Sequence, residues 1–125
     1  INDWQARAEL ADFRKAIEDY CSYINNNYPN TTKVIWITPI NQAGYKPSIA
    51  GERKYTVQQY RNALTEVVLS NDDFDRFSII QGSDLNFPTS NADESYITKM
   101  FGDKLHPTEY AYKNIYAAGL INLLI

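Results

Sequence analysis

Lys33-Val34-Ile35-Trp36-Ile37-Thr38-Pro39 is the stretch that decides the fold. It is a short apolar run, rich in β-branched residues and closed by a proline, too brief for a helix and well suited to a strand. The run does not alternate apolar with polar residues. That predicts a strand covered on both faces, as in a parallel sheet. Phe77-Ser78-Ile79-Ile80 predicts a second buried strand. Between the two, residues 40–54 carry Gly44, Pro47, Ser48 and Gly51 and read as a long loop. A helix is then expected from about Tyr55 to Ser70, with Val57, Tyr60, Leu64, Val67 and Val68 as its inner stripe, broken at Asn71-Asp72-Asp73. Strand, helix and strand at this spacing predict a parallel pair joined by a right-handed crossover.

Working outward, Trp4, Leu10, Phe13, Ile17, Tyr20, Cys21 and Ile24 recur at helical spacings, with Arg7, Glu9, Arg14, Lys15 and Glu18 mostly on the other face. This helix is expected to stop within Asn25-Asn26-Asn27-Tyr28-Pro29-Asn30, where asparagine tolerates left-handed backbone and Pro29 cannot continue a helix. After the second strand comes a long polar stretch from Gly82 to Gly102, read as a loop. A last helix is expected from Pro107 to about Leu124, with Ala111, Ile115, Ala118, Ile121 and Ile125 on one face. In sheets of this kind ligands bind beyond the carboxyl ends of the strands, and both long loops leave from those ends. Two strands make a marginal sheet with two open edges. Further strands are therefore expected from a preceding segment or a companion chain, and the start at Ile1 without methionine fits a processed product or a part of a longer protein.

The bulk numbers exclude several classes. With 125 residues, 44% hydrophobic and 22% charged, the chain has ordinary globular composition and room for one domain. Net charge is −3 with acids and bases mixed, so no basic stripe points to nucleic acid. No apolar run approaches the ~18 residues of a membrane span. One cysteine, Cys21, forms no internal disulfide, and one histidine with one cysteine cannot assemble the usual zinc ligand sets. Asp72, Asp73 and Asp75 lack the glycine and distal glutamate of an EF-hand loop and read as a solvated turn. The ten tyrosines suit carbohydrate-facing surfaces or half-buried helix faces.

The chemistry concentrates in Asp103-Lys104-Leu105-His106-Pro107. His106 is the only imidazole in the chain, hence the only side chain of its type able to exchange protons near neutral pH. Asp103, three residues upstream, is within reach of the ring Nδ1–H in a tight turn. Pro107 is expected to open the last helix, since its missing N–H is one the first turn leaves unpaired. A histidine at such a junction either packs at the helix start or presents its ring as a base. Its place beyond the carboxyl ends of the strands favours the second.

These residues resemble the carboxy-terminal half of the SGNH hydrolase family, the GDSL esterases. That family ends in an Asp-x-x-His block, usually followed by Pro, before its final helix; Asp103, His106 and Pro107 match it. Its third block is Gly-x-Asn-Asp ahead of a long helix, and Ile1-Asn2-Asp3 matches from its second residue. The resemblance spans nearly the whole chain and implies a three-layer α/β/α flavodoxin-like parallel sheet, here only the last two strands and their flanking helices. On that view residues 1–125 are the C-terminal portion of a single SGNH hydrolase-like domain. It implies acyl transfer with His106 as base, Asp103 as its partner and Asn2 as an oxyanion-hole donor, with no cofactor and no metal. Without that resemblance, Asn2 reads as a helix N-cap, and Asp3 as a first-turn acid or a strand-end contact.

The family's Gly-Asp-Ser nucleophile block and its glycine block have no match here. Gln81-Gly82-Ser83-Asp84-Leu85 scrambles the nucleophile block but follows the second strand, so Ser83 is not read as the nucleophile. The expectation is a serine esterase acting on small or acetylated-carbohydrate esters. Its serine would be supplied by the N-terminal half of the domain or a companion chain, without nucleic acid or membrane partners. Loops 40–54 and 82–102 would shape its pockets, with Tyr45, Trp36 and Phe87 as candidate lining. Two alternatives stay open: a non-catalytic SGNH-like carbohydrate-binding or structural module of a larger surface or virion protein, and an unrelated flavodoxin-like binding domain.

Overall fold

A computed structural model describes residues 8–41, 55–89, 91–103 and 106–124. The chain forms two compact units, Ile1–Pro39 with Pro47–Gln81, and Ile40–Lys46 with Gly82–Ile125. The first unit holds α1 (Leu10–Asn27), β1 (Val34–Ile37), α2 (Val57–Ser70) and β2 (Phe77–Ile80). The strands pair in parallel, with Val34 opposite Phe77 and Trp36 opposite Ile79. Those four side chains share one face of the sheet, because alternate strand residues point the same way. They meet Phe13, Ile17, Cys21 and Ile24 of α1 and Leu64 and Val68 of α2 in a single core. Trp36 packs edge-on to Phe77 with ring centroids 5.8 Å apart, and Phe13 does the same to Tyr60 at 5.0 Å.

A parallel pair between helices is what the order of elements demands. The expected burial of β1 on both faces is not what the structure has. All four residues of β1 are half-buried. Only the Val34–Trp36 face joins the core of this unit, while Ile35 and Ile37 stand opposite Ser78, which is exposed, and Ile80, which is half-buried.

The ends of the elements have local causes. Helix α2 starts at Val57 rather than Tyr55 because Thr56 and Gln59 form a capping box. The Gln59 N–H donates to Thr56 Oγ1 at 3.2 Å and the Thr56 N–H to Gln59 Oε1 at 2.7 Å. Helix α1 stops without a left-handed residue, contrary to the asparagine reading: its cap, Tyr28, is extended. A buried guanidinium closes it instead. Arg76, 1% exposed, donates to the carbonyls of Ile24 at 2.6 Å and Pro29 at 2.8 Å and to Asn25 Oδ1 at 3.0 Å. Asp72 accepts the backbone N–H of Arg76 at 2.8 Å, which makes this aspartate a turn-forming group leading into β2.

The second unit holds a 3-10 turn (Gly82–Asp84), α3 (Glu94–Met100) and a continuous helical stretch over 109–124. Helix α3 corrects the reading of 82–102 as loop. Its turn is only seven residues long, yet Ile97, Met100 and Phe101 recur at three and four and are all buried. The final stretch is α-helical over Glu109–Ala111 (α4), π-helical over Tyr112–Ala117, and α-helical again over Ala118–Leu124 (α5). It starts two residues later than expected, since Pro107 pairs with Phe101 in an antiparallel bridge and Thr108 is the cap.

The π turn also corrects the expected inner face of this helix. Ala111 and Ile115 are buried as expected, but Ala118 is exposed and Ile121 is 55% exposed. A π segment adds about one residue, hence about 100° of rotation, to an α-helical register. Gly119 turns inward instead, so close to Leu85 that a Cβ there would meet its Cδ2 at 3.0 Å. Ile40, Phe87, Ile97, Met100, Phe101, Ala111 and Ile115 make the core of this unit.

Candidate active site

Residues 101–107 carry the one acid–base pair that the sequence singles out. Phe101, 1% exposed and stacked on Phe87 at 5.3 Å, anchors the first end of this segment in the core. Pro107 returns beside it in the antiparallel bridge, and the Thr108 N–H donates to the Met100 carbonyl at 2.9 Å. Between these ends Asp103 and His106 come together.

Asp103 grips His106 twice. Its Oδ1 accepts the His106 backbone N–H at 2.7 Å and its Oδ2 lies 2.5 Å from the ring Nδ1. A carboxylate in its ionised form only accepts, and paired with it the ring carries its proton on Nδ1. In a neutral ring that tautomer makes Nε2 the acceptor. The side chains are 77% exposed for His106 and 56% for Asp103. The ring is thus oriented by hydrogen bonds rather than by packing, with its basic nitrogen available to another molecule or segment. A carboxylate fixing the tautomer of an imidazole is the arrangement used for general-base activation of a hydroxyl.

The other predicted positions divide. Asn2, the expected oxyanion donor, and Tyr45 lie outside the described residues, as do Lys104 and Leu105. Trp36 belongs to the core of the first unit, and Phe87 is 3% exposed in the core of the second, so neither lines an open pocket. Ser83 is exposed in the 3-10 turn after β2. Among the described residues no group of three or more His, Cys, Asp or Glu side chains is placed to hold a metal ion. None of the described helices is long and apolar enough to cross a membrane. Sequence reading passed over Thr108, whose place one residue after the His-Pro pair is that of a helix cap and whose contacts tie the site together.

The parallel strand pair flanked by helices in the first unit is part of a flavodoxin-like α/β fold. The sequence profile of the GDSL-like Lipase/Acylhydrolase family matches residues 1–118, and the chain belongs to that family. The family is one of esterases and lipases, which hydrolyse acyl esters. No curated protein sequence matches the chain, and no solved structure does.

Proposed function

We propose that the chain carries the acid–base half of a serine ester hydrolase whose substrates are small or carbohydrate-linked acyl esters, acetyl esters foremost. The observation that carries this reading is the double hydrogen bond from His106 to Asp103, with the ring exposed. In the proposed cycle a serine hydroxyl attacks the ester carbonyl while His106 Nε2 takes its proton. Asp103 stabilises the imidazolium that forms. The tetrahedral oxyanion accepts a hydrogen bond from the Asn2 side-chain amide, a contribution of about 3 kcal/mol in a preorganised site. Collapse of the intermediate breaks the ester C–O bond, and His106 returns the proton to the departing alcohol. Water then repeats the sequence on the acyl-serine, releasing the carboxylic acid and the free hydroxyl.

The nucleophile is a serine outside these 125 residues, on a preceding segment or a companion chain. Ser83 does not take this role in the proposal: it sits on the turn after β2, whereas the family's nucleophile block follows the first strand. The test is labelling of the whole protein with a fluorophosphonate serine probe, followed by mass spectrometry. The expected result is one adduct on a serine outside residues 1–125, formed at least about a hundredfold more slowly in His106→Gln. No adduct on any polypeptide, with a control esterase labelled, overturns the reading in favour of a non-catalytic module.

A further inference from the structure

We infer that Thr108 is a positioning residue for His106, acting by tying both ends of the 101–107 segment to the two helices around it. The inference rests on the esterase reading above for its consequence in catalysis, but its geometry stands on the contacts of Thr108 itself.

The end of α3 and the start of α4 each leave backbone groups without helical partners. Thr108 serves both with one hydroxyl. Its O–H donates to the Lys99 carbonyl in the last turn of α3 at 2.7 Å, and its oxygen accepts the Ala111 N–H in the first turn of α4 at 3.3 Å. Its backbone is engaged as well: the N–H donates to the Met100 carbonyl at 2.9 Å, and its carbonyl accepts from the Tyr112 N–H at 3.0 Å. The Lys99 ammonium adds a contact in the same direction, lying 4.3 Å from the Tyr110 ring centroid.

What hangs on this stitch is the site. Asp103 is two residues from Phe101, which the core holds; His106 is two residues from half-buried Thr108, which these hydrogen bonds hold together with the Phe101–Pro107 bridge. Because the His106 ring is exposed, packing of the side chain adds little to hold its backbone in place. The 2.5 Å approach of Nδ1 to Asp103 therefore depends on the spacing between the two ends. A cap that merely accepts would serve α4 alone. The link to Lys99 needs a donor, and a hydroxyl is both at once.

Valine removes donor and acceptor with little change in shape, while serine keeps both. The test compares Thr108→Val and Thr108→Ser in the whole protein labelled with ¹⁵N-histidine, the ring signals of His106 being identified by their loss in His106→Gln. Ring nitrogen shifts report which nitrogen holds the proton, at a temperature where each variant is fully folded. In Thr108→Val the Nδ1–H form is expected to give way to a mixture with Nε2–H, and kcat to fall about tenfold with KM little changed. Thr108→Ser is expected to restore both. Ring signals in Thr108→Val identical to those of the unsubstituted protein overturn the inference, since loss of a helix cap alone lowers melting temperature without moving the ring proton. If the ring responds as expected while the unsubstituted protein hydrolyses no ester and takes no fluorophosphonate, the positioning role stands and the esterase reading falls.

Discussion

At the scale of single residues, exposure separates the proposed base from groups that hold the structure. His106 is so exposed that His106→Gln is expected to leave folding stability within about 0.5 kcal/mol while ester hydrolysis by the whole protein falls at least about a thousandfold. Asp103→Asn is expected to act almost as strongly on kcat, because its amide can donate toward Nδ1 and favours the wrong tautomer; steady-state kinetics of the two variants checks both. Cys21 is the opposite case. It is fully buried, and its thiol is pushed up from 9.0 to about 11, first by burial and then by the negative charges of Asp72 and Asp73. An unfolded chain loses that proton earlier than the folded one, so between pH 9.0 and about 11 unfolding releases a proton and stability falls as pH rises. Below that range the two states bind the proton alike. Between about pH 8 and about pH 10 the urea midpoint is expected to drop more in the unsubstituted protein than in Cys21→Ala.

At the scale of elements, the ends of helices carry much of the information that periodicity does not. Val57, Tyr60, Leu64, Val67 and Val68 fall on the buried side of α2 as their spacing demands, and Thr56 with Gln59 spells out where that helix begins. The end of α1 is set at long range. Arg76 reaches back from just before β2 to the Ile24 carbonyl in the last turn of α1 and the Pro29 carbonyl beyond it, contacts across about fifty positions of sequence that no local pattern displays. Arg76→Met is expected to cost about 1–3 kcal/mol, since it removes a buried donor from half-buried acceptors at Ile24 and Asn25. Chemical denaturation followed by far-ultraviolet circular dichroism measures it; a loss below about 1 kcal/mol would mean that water reaches those carbonyls. Helix α3 escaped the sequence reading because its run is short and begins after a polar stretch, although Ile97, Met100 and Phe101 already have helical spacing.

At the scale of the whole molecule, the strand–helix–strand order and the parallel pairing were legible from two apolar runs and the stripe between them. The family followed from blocks at opposite ends of the chain, and its profile covers residues 1–118. Of the candidate site, the Asp103–His106 contact was legible because three residues of separation in a turn bring the groups together. The support from Thr108 was not, since it depends on where α3 ends, and α3 had been read as loop. The rotation of the last helix was hidden for a related reason: a π turn leaves composition unchanged and shows only as apolar residues falling on the wrong side. Considered as a change in chain length, that turn is a spare residue absorbed within Tyr112–Ala117. It lets the downstream helix settle against Leu85 through Gly119 in its own register, while the upstream end keeps the one set by Thr108. The segment that carries Asp103 and His106 thereby keeps a register independent of the helix beyond the π turn.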